Sequence, residues 1–463
     1  MKQRILLILL MVVVLSFARG LYAQNGSQAV SPGEHQDEYA LEDLFILALE
    51  RAEQIKISEE ELYIAERGRD KALSAFLPVF TAFGAYTKFS KKRVSSEGFL
   101  VQPDSSVEWG LRLDETLSLG GREFTSYRIS KETITKSNYE FNTVKEEYLL
   151  QVATDYYNVV KVKRALDIAV ENVKRLTAER DAARKRLQVG ESTKTELLRA
   201  EAELSGARSE RIKTENLLKL AKAVLAKTVG IDGIYDVKES KKTIESYRQE
   251  ALAYFIERCK KITLSCLKQT ALSERPDLMA LAEEKKIADD EVRLAKGLYW
   301  PTVSLEGIYA RNENDPSRSF ELNESIFGTL RLNFPFFEGG LRVAETREAE
   351  ARKRQAGLQY EELKKTVDVD VENAYLDYIT QQSILESLRD QLSFASDNYN
   401  LVSKQFQHGL ANSVDLIDAN TLLVTAEREL ARAEFDYQLA VLKVKWSTGT
   451  LLKTVIHHTV RKE

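Results

Sequence analysis

Two periodicities divide the chain. Between Gly328 and Gly340, Leu330, Leu332 and Phe334 fall on one face of an extended segment and Thr329, Arg331 and Asn333 on the other, the alternation of a strand wetted on one side. The apolar face of such a strand has to meet an apolar surface. The stretch then runs through Pro335 and a Gly-Gly pair into a different pattern. From Leu341 to about Gln407 there is no proline and one glycine, Gly357, which predicts a helix of roughly 100 Å at about 1.5 Å per residue. No globular core is that long.

The same junction occurs earlier, from Gly110 to Gly121. Leu111 and Leu330, Arg112 and Arg331, Leu113 and Leu332, and Gly120 and Gly339 are each separated by 219 positions. The chain is an internal duplication. Leu41 to Ala75 reads as an amphipathic helical stretch leading to Pro78; its counterpart, Ala271 to Trp300, leads to Pro301, where the offset is 223. The change of offset puts four extra residues into the first hairpin, and insertions belong in exposed loops. Strands are predicted at Val79–Phe89 and Thr302–Arg311, polar loops at Ser90–Ser106 and Asn312–Glu324, and returning strands after them. The clearest return is Val107 to Asp114, where Val107, Trp109, Leu111 and Leu113 oppose Glu108, Gly110, Arg112 and Asp114.

Between the hairpins the helix signal dominates. From Arg122 to Gln188, Leu149, Val152, Tyr156, Val159, Leu166, Val173 and Leu176 mostly keep the three-and-four spacing of a coiled-coil seam. A turn at Val189–Thr193 precedes a helix to about Val229, and a turn at His408–Asn412 precedes its equivalent, ending near Thr448. The expected organisation is a first repeat over 41–230 (β-hairpin about 79–119, helical hairpin 122–229), an inter-repeat belt segment over 231–270, a second repeat over 271–449 (β-hairpin about 302–338, helical hairpin 341–448) and a C-terminal tail, 450–463. Ahead of these stand a signal peptide, 1–23, with Lys2 and Arg4 before an apolar run, and a flexible polar leader, 24–40.

Composition narrows the function classes. Charged residues make up 30% of the chain and there are only seven prolines, which suits long solvated helices. Without Lys2, Arg4 and Arg19 there are 64 basic and 71 acidic residues and no concentrated basic patch, so nucleic acid is not an expected partner. No apolar run of membrane-spanning length follows the leader, so any membrane passage must be made by strands. A soluble half-buried sheet gives the same alternation. Ten-residue strands with aromatics at their ends, together with an export signal, favour a transmembrane barrel, with Phe76, Tyr299, Trp300, Phe336 and Phe337 as an interfacial belt. Cys259 and Cys266, if carried on one helix, stand roughly 10 Å apart and are expected as two unpaired thiols. No metal, cofactor or catalytic constellation is visible: His35, His408, His457 and His458 have no ligand spacing, and there is no phosphate loop or nucleophile motif.

Pro78 and Pro301 opening the strands, Gly-Gly after the returning strands, and Gly190 and Gly409 at the helix turns recur in order, and in this the mature chain resembles the TolC-like outer-membrane efflux family. The resemblance implies an α+β membrane protein. Long antiparallel α-helical hairpins would form a trimeric α-barrel, continued by a 12-stranded transmembrane β-barrel with four strands per protomer. It implies an exit duct, in the outer membrane of a diderm bacterium, for a tripartite efflux or type I secretion system. Its partners would be outer-membrane lipid, a periplasmic adaptor and an inner-membrane transporter of RND, ABC or MFS type. The rival class is a soluble periplasmic coiled-coil adaptor or spacer.

The resemblance also implies site residues. Val189, Gly190, Glu191 and Ser192, with His408, Gly409 and Leu410, match the periplasmic tips where an adaptor docks. Asp415 and Asp418 match acidic residues that in some members ring the closed entrance. Asp415 also fits a capping box with Asn412, as Glu196 does with Thr193, and the two roles are compatible. Asp418 has no capping role, and its first-repeat counterpart is Arg199. Pro78, Gly120, Gly121, Pro301, Pro335, Gly339 and Gly340 mark the strand–helix junctions. At Phe406 and Ala411 some members carry a tyrosine and an arginine that lock the tip, so the lock here must differ.

Overall fold

A computed structural model of the protein describes residues 37–96, 98–239, 252–255, 258–259, 262–317 and 323–460. The signal peptide, His35 and the leader up to residue 36 lie outside the described residues, as do much of the 231–270 segment, 318–322 of the second loop, and 461–463. The side chains of His457 and His458 do as well.

Strand β1 (Asp37–Tyr39) pairs with β6 (Tyr235–Val237), so the last residues of the expected flexible leader are ordered as a strand. Glu38 and Ile234–Asp236 belong to one compact unit, and Tyr39–Gly233 with Val237–Glu463 to another.

The second unit repeats itself. Helices α1 (Leu41–Arg51) and α2 (Glu53–Ser74) return, shifted by 223, as α5 (Leu264–Glu274) and α6 (Pro276–Lys296). Helices α3 (Arg122–Gln188) and α4 (Lys194–Val229) return, shifted by 219, as α7 (Leu341–Gln407) and α8 (Ser413–Ser447). Both α3 and α7 are unbroken over 67 residues, as the absence of internal proline requires. Because α5 partners α1, the duplication extends into part of the segment read as an unpartnered belt.

Of the seam residues, Leu149, Val152, Tyr156, Val159 and Leu176 are buried, while Leu166 and Val173 are half-buried. Helix α3 packs on α2, α4, α6 and α8, so one stripe cannot describe it. One apolar cluster joins Leu267 and Ala271 of α5, Val367, Val371, Ala374 and Tyr378 of α7, and Tyr437, Ala440, Val441 and Val444 of α8, with Leu252 and Phe255 against them. Burial of each such large side chain contributes about 1.5–3 kcal/mol.

Four strands make one antiparallel sheet in the order β2 (Val79–Lys88), β5 (Ser105–Ser118), β7 (Thr302–Asp315), β8 (Glu324–Asn333). The register runs from Val79↔Asp114 to Lys88↔Ser105, from Ser105↔Asp315 to Ser118↔Thr302, and from Thr302↔Asn333 to Arg311↔Glu324. Each repeat gives one hairpin, the two join through β5 and β7, and among the described residues β2 and β8 each have a single neighbour.

The inner strands are longer than expected. Asn312–Asp315, read as loop, belong to β7, because β5 pairs with them beyond the reach of β8. Strand β8 stops at Asn333, so Phe334 and Pro335 lie past its end. The loop 90–106 is also partly structured: β3 (Arg93–Val94) and β4 (Leu100–Gln102) form a small hairpin of their own.

The cysteine expectation is overturned. Cys259 and Cys266 form a disulfide with Cα atoms 6.1 Å apart. The estimate assumed a continuous helix, whereas Ile262 and Thr263 are non-helical and Thr263 is the extended residue before α5. That break brings the two Cα atoms within bridging range.

The tail after 450 is helical through α9 (Leu451–Val460), anchored by buried Leu451 and Leu452. Glu146 of α3, itself buried, accepts a 3.0 Å hydrogen bond from the Leu452 amide, while its Oε2 has no partner among the described residues. Burial pushes this carboxyl up to about 7, with the α9 amides pulling the other way. The folded state therefore holds a proton that the unfolded chain releases near the ordinary glutamate value. The associated stability is fully present at low pH and is lost as pH rises through about 7. Glu146→Gln keeps an acceptor and removes the charge. We expect the variant to lose part of the decline in melting temperature between acidic and mildly alkaline pH, a difference of at most about 3 kcal/mol. Parallel melting profiles for variant and parent, followed by circular dichroism, would contradict this reading of Glu146.

Candidate functional site

The predicted site residues lie at two levels, the junctions of strands with helices and the far ends of the helical hairpins. At the junctions, Pro78 and Pro301 stand one residue before β2 and β7. Here proline's missing donor removes no ladder bond. The Leu119 amide donates to Pro301 O at 3.0 Å, tying the first return to the second hairpin. Gly120 is needed for a close approach, since a Cβ there would lie 2.5 Å from Gly297 O, and Gly121 caps α3 with φ 66°. At the second junction Gly339 and Gly340 have φ of 61° and 89° and open space around them. The second glycine of each pair is thus a left-handed cap, and only the first glycines differ.

Two junction residues were not singled out by sequence. Glu123 Oε1 accepts the Ser118 amide at 3.0 Å, closing the end of β5. Arg342, buried, donates to Pro335 O and to Glu338 Oε2, the latter at 2.6 Å, and its guanidinium lies 5.9 Å from the Tyr299 ring centre. It fixes the turn that carries Phe336 and Phe337, which are 88% and 79% exposed. Phe76 packs edge-on against Phe124 of α3, with ring centres 4.9 Å apart.

At the tips, α3 ends at Val189 and α7 at His408, and Gly190 and Gly409 follow with φ of 80° and 73°, turning each chain into its returning helix. Thr193 caps α4, its hydroxyl accepting the Glu196 amide at 3.3 Å. The Glu196 carboxylate takes the Ser192 hydroxyl, so only half of the expected box forms there. In the second repeat the box is complete. Asn412 Oδ1 accepts from Val414 and Asp415 at 2.7 and 3.1 Å, and Asp415 Oδ2 accepts the Asn412 amide at 3.2 Å. Asp415 and Asp418 are both exposed, one helical turn apart. Val189 and Leu410 stand open at the tips.

A clasp between the two hairpins lies just above. Arg186, at the end of α3, donates to Phe406 O at 2.5 Å, and its guanidinium sits 4.2 Å over the Phe406 ring, which is 7% exposed. Higher up, Tyr399 donates to Glu179 at 3.2 Å, Arg175 forks onto Glu427 at 3.0 and 2.9 Å, and Asn420 donates to Asn172 at 2.9 Å. Burial pushes Glu179 up to about 7, against the pull of Tyr399 and Arg175. It pushes Tyr399 up to about 12, helped by the Glu179 charge. The sequence reading passed over Arg186. Its signal was the repeat itself: Leu187 is the counterpart of Phe406, and both Arg186–Phe406 and Glu179–Tyr399 are 220 positions apart, one more than the repeat offset.

Comparison with known proteins follows the same two-part division. The sequence profile described as outer membrane efflux protein matches residues 44–231 and 267–450. The chain is 24% identical over 335 residues to the outer membrane protein TolC of Vibrio cholerae serotype O1, covering 71% of this chain and 73% of the relative. It is 20% identical over 332 residues to the alkaline protease secretion protein AprF of Pseudomonas aeruginosa, covering 71% and 66%. A crystal structure of CusC superposes with a TM-score of 0.77 at 17% identity, covering 93% of this chain and 95% of that one. With its family profile matched in both repeats and its fold that of a solved channel, the chain belongs to the outer membrane efflux protein family.

Proposed function

We propose that the protein is one protomer of a trimeric outer-membrane channel, the passive exit duct of a tripartite efflux or type I secretion system. The observation that carries this is the sheet register. Paired residues share a face, so Phe80, Tyr86, Trp109, Leu111, Leu330 and Leu332 lie on one side, and Thr81, Arg112, Asp114, Arg331 and Asn333 on the other. Most of the apolar face is exposed, and the Trp109 and Tyr309 rings meet on it with centres 5.9 Å apart. Arg112 and Asp114 pair at 2.8 Å on the opposite face. The first face is apolar over its middle and carries charges toward its ends, such as Glu115 toward the helices and Arg311, Glu313 and Glu324 toward the loops. An outer face apolar over its middle with a charged inner one is what a barrel wall requires in lipid.

Four strands cannot close such a wall. The free edges of β2 and β8 would leave backbone groups unsatisfied in hydrocarbon at several kcal/mol each, and known barrels need about eight strands or more. Three copies give twelve strands and join each β2 to a neighbour's β8, with the helices continuing as an α-barrel. A soluble adaptor has no use for this sheet, and the family match favours the channel. Energy then comes from an inner-membrane transporter, and the tips around Val189–Ser192 and His408–Leu410 receive a periplasmic adaptor. Asp415 and Asp418, brought together by threefold symmetry, ring the entrance and draw cations into it. Asp415 does this while capping its helix. The Arg186–Phe406 clasp stands in for the tyrosine and arginine lock of other members.

Three outcomes test this. Leu330→Arg places a charge in the lipid-facing band and is expected to cost about 2–4 kcal/mol, seen as loss of the detergent-stable trimer, whereas Arg331→Leu should leave trimer yield near normal. The reverse pattern would mean that the faces are exchanged. In planar bilayers, Asp415→Ala with Asp418→Ala should weaken cation selectivity and block by multivalent cations while trimers persist. Unchanged selectivity would leave Asp415 as a helix cap and nothing more. Arg186→Ala removes one hydrogen bond and one cation–π contact, together about 1–2 kcal/mol, and should raise the open fraction by about five- to thirtyfold per clasp. Equal conductance of variant and parent would remove Arg186 from the lock.

A further inference from the structure

The four residues that break the repeat offset lie in the first loop, where they let β3 and β4 form. This small hairpin has its own hydrogen bonds: Arg93 pairs with Gln102 and Val94 with Leu100, Ser95 N donates to Phe99 O at 2.8 Å, and Phe99 N donates to Ser95 Oγ at 3.1 Å. Lys91, Lys92 and Arg93 stand exposed along it, beside Val94 and Phe99, which are 52% and 58% exposed.

The charges here are unlike those of the second loop. Lys88, at the base, reaches Asp104 at 3.9 Å, but Lys91, Lys92 and Arg93 have no ion pair among the described residues. The loop's remaining acid, Glu97, lies outside those residues. On the second hairpin the acids stand lower, at the ends of the strands: Glu313 and Asp315 on β7 and Glu324 on β8, none above the level of Lys88, and Arg311 pairs with its own strand neighbour Glu313 at 2.9 Å. No acid of the second loop neutralises the first among the described residues.

Position supplies the other half. If the strands span the membrane as proposed above, on which this inference rests, the helices mark the periplasmic end and Lys88 the outer end. Lys91 to Arg93 then follow within three to five residues, a rise of at most about 17 Å at about 3.3 Å per residue. The polar headgroup zone directly outside a hydrocarbon layer of about 30 Å is only about 5–8 Å deep, so these residues reach it where the hairpin bends back toward the rim rather than by rising straight out.

We infer that the β3–β4 hairpin is a lipid-docking surface, in which Lys91, Lys92 and Arg93 hold the phosphate groups of anionic lipids at the outer rim while Val94 and Phe99 settle beside the headgroups. Juxtamembrane basic residues attract anionic lipid by charge, and the attraction fades with salt. An exposed apolar pair beside them is a reason for the hairpin to lie on lipid rather than stand in water.

The experiment uses the full-length trimer in phosphatidylcholine vesicles containing a minor fraction of phosphatidylglycerol. Cys259 and Cys266 are bonded to each other, so Phe99→Cys can be labelled alone with a fluorophore. Bromine carried on the phosphatidylglycerol should quench this label about threefold more than the same amount carried on phosphatidylcholine. The preference should vanish at high salt and in Lys91→Glu with Lys92→Glu and Arg93→Glu. A label at Leu330→Cys should be quenched equally by both lipids. Quenching at 330 without any lipid preference at 99 overturns the docking surface alone. Absence of quenching at 330 overturns the membrane-spanning reading beneath it.

Discussion

Backbone amides have nowhere to turn in hydrocarbon except to one another, and in the proposed channel that requirement governs the four strands β2, β5, β7 and β8. The sheet β2-β5-β7-β8 satisfies its interior and leaves two edges, so the protomer is incomplete by construction in lipid. The inner pair β5 and β7 is the longest, with fourteen residues in each strand matched from Ser105↔Asp315 to Ser118↔Thr302. This pair joins the two repeats within one chain. In the channel proposed above the shorter outer strands meet other copies, and trimerisation would continue the same ladder.

The helices answer a different demand with the same economy of means. Water surrounds them, so backbone bonds are met internally and the side chains decide the packing. A helix as long as α3 cannot bury one stripe against one partner along its whole length. It meets α2 and α6 in part, α4 along the hairpin, and α8 across to the second repeat. Charged pairs such as Arg175–Glu427 and Lys136–Glu284 link neighbouring helices beside small buried cores. Partly exposed pairs contribute modestly to stability, so their arrangement matters more for which helix faces which than for the total.

Periodicity made most of this legible. The bounds of α3 and α7 follow from proline-free stretches ended by glycine, and the strand faces follow from alternation, because both signals are local. What sequence reading missed was set by tertiary context. Strands β5 and β7 lengthen because they have each other as partners. Loop 90–106 folds because four extra residues are enough to return on themselves. The cysteines pair because Ile262 and Thr263 interrupt a helix that spacing alone would continue. Arg186 reads as any basic residue near a helix C-terminus because its partner, Phe406, is 220 positions away in the chain.

Duplication also shows where symmetry ends. Both repeats keep the turn glycine and the cap, since any helical hairpin needs them, yet the second tip has a full capping box with Asp418 beyond it and the first has half a box with Arg199 at the matching place. Gly120 is squeezed by Gly297 while its counterpart Gly339 is free of neighbours. The first loop carries a basic hairpin, whereas in the second hairpin acids stand at the ends of β7 and β8. Each difference falls at an end of an element, where the backbone is already satisfied and a side chain can change without breaking a ladder or a seam. Positions inside the strands and long helices have no such freedom, because a shift there would move a residue to the other face of the sheet or open the packing of a neighbour. Specific function in a fold of this kind is therefore written at the rims, the junctions and the tips.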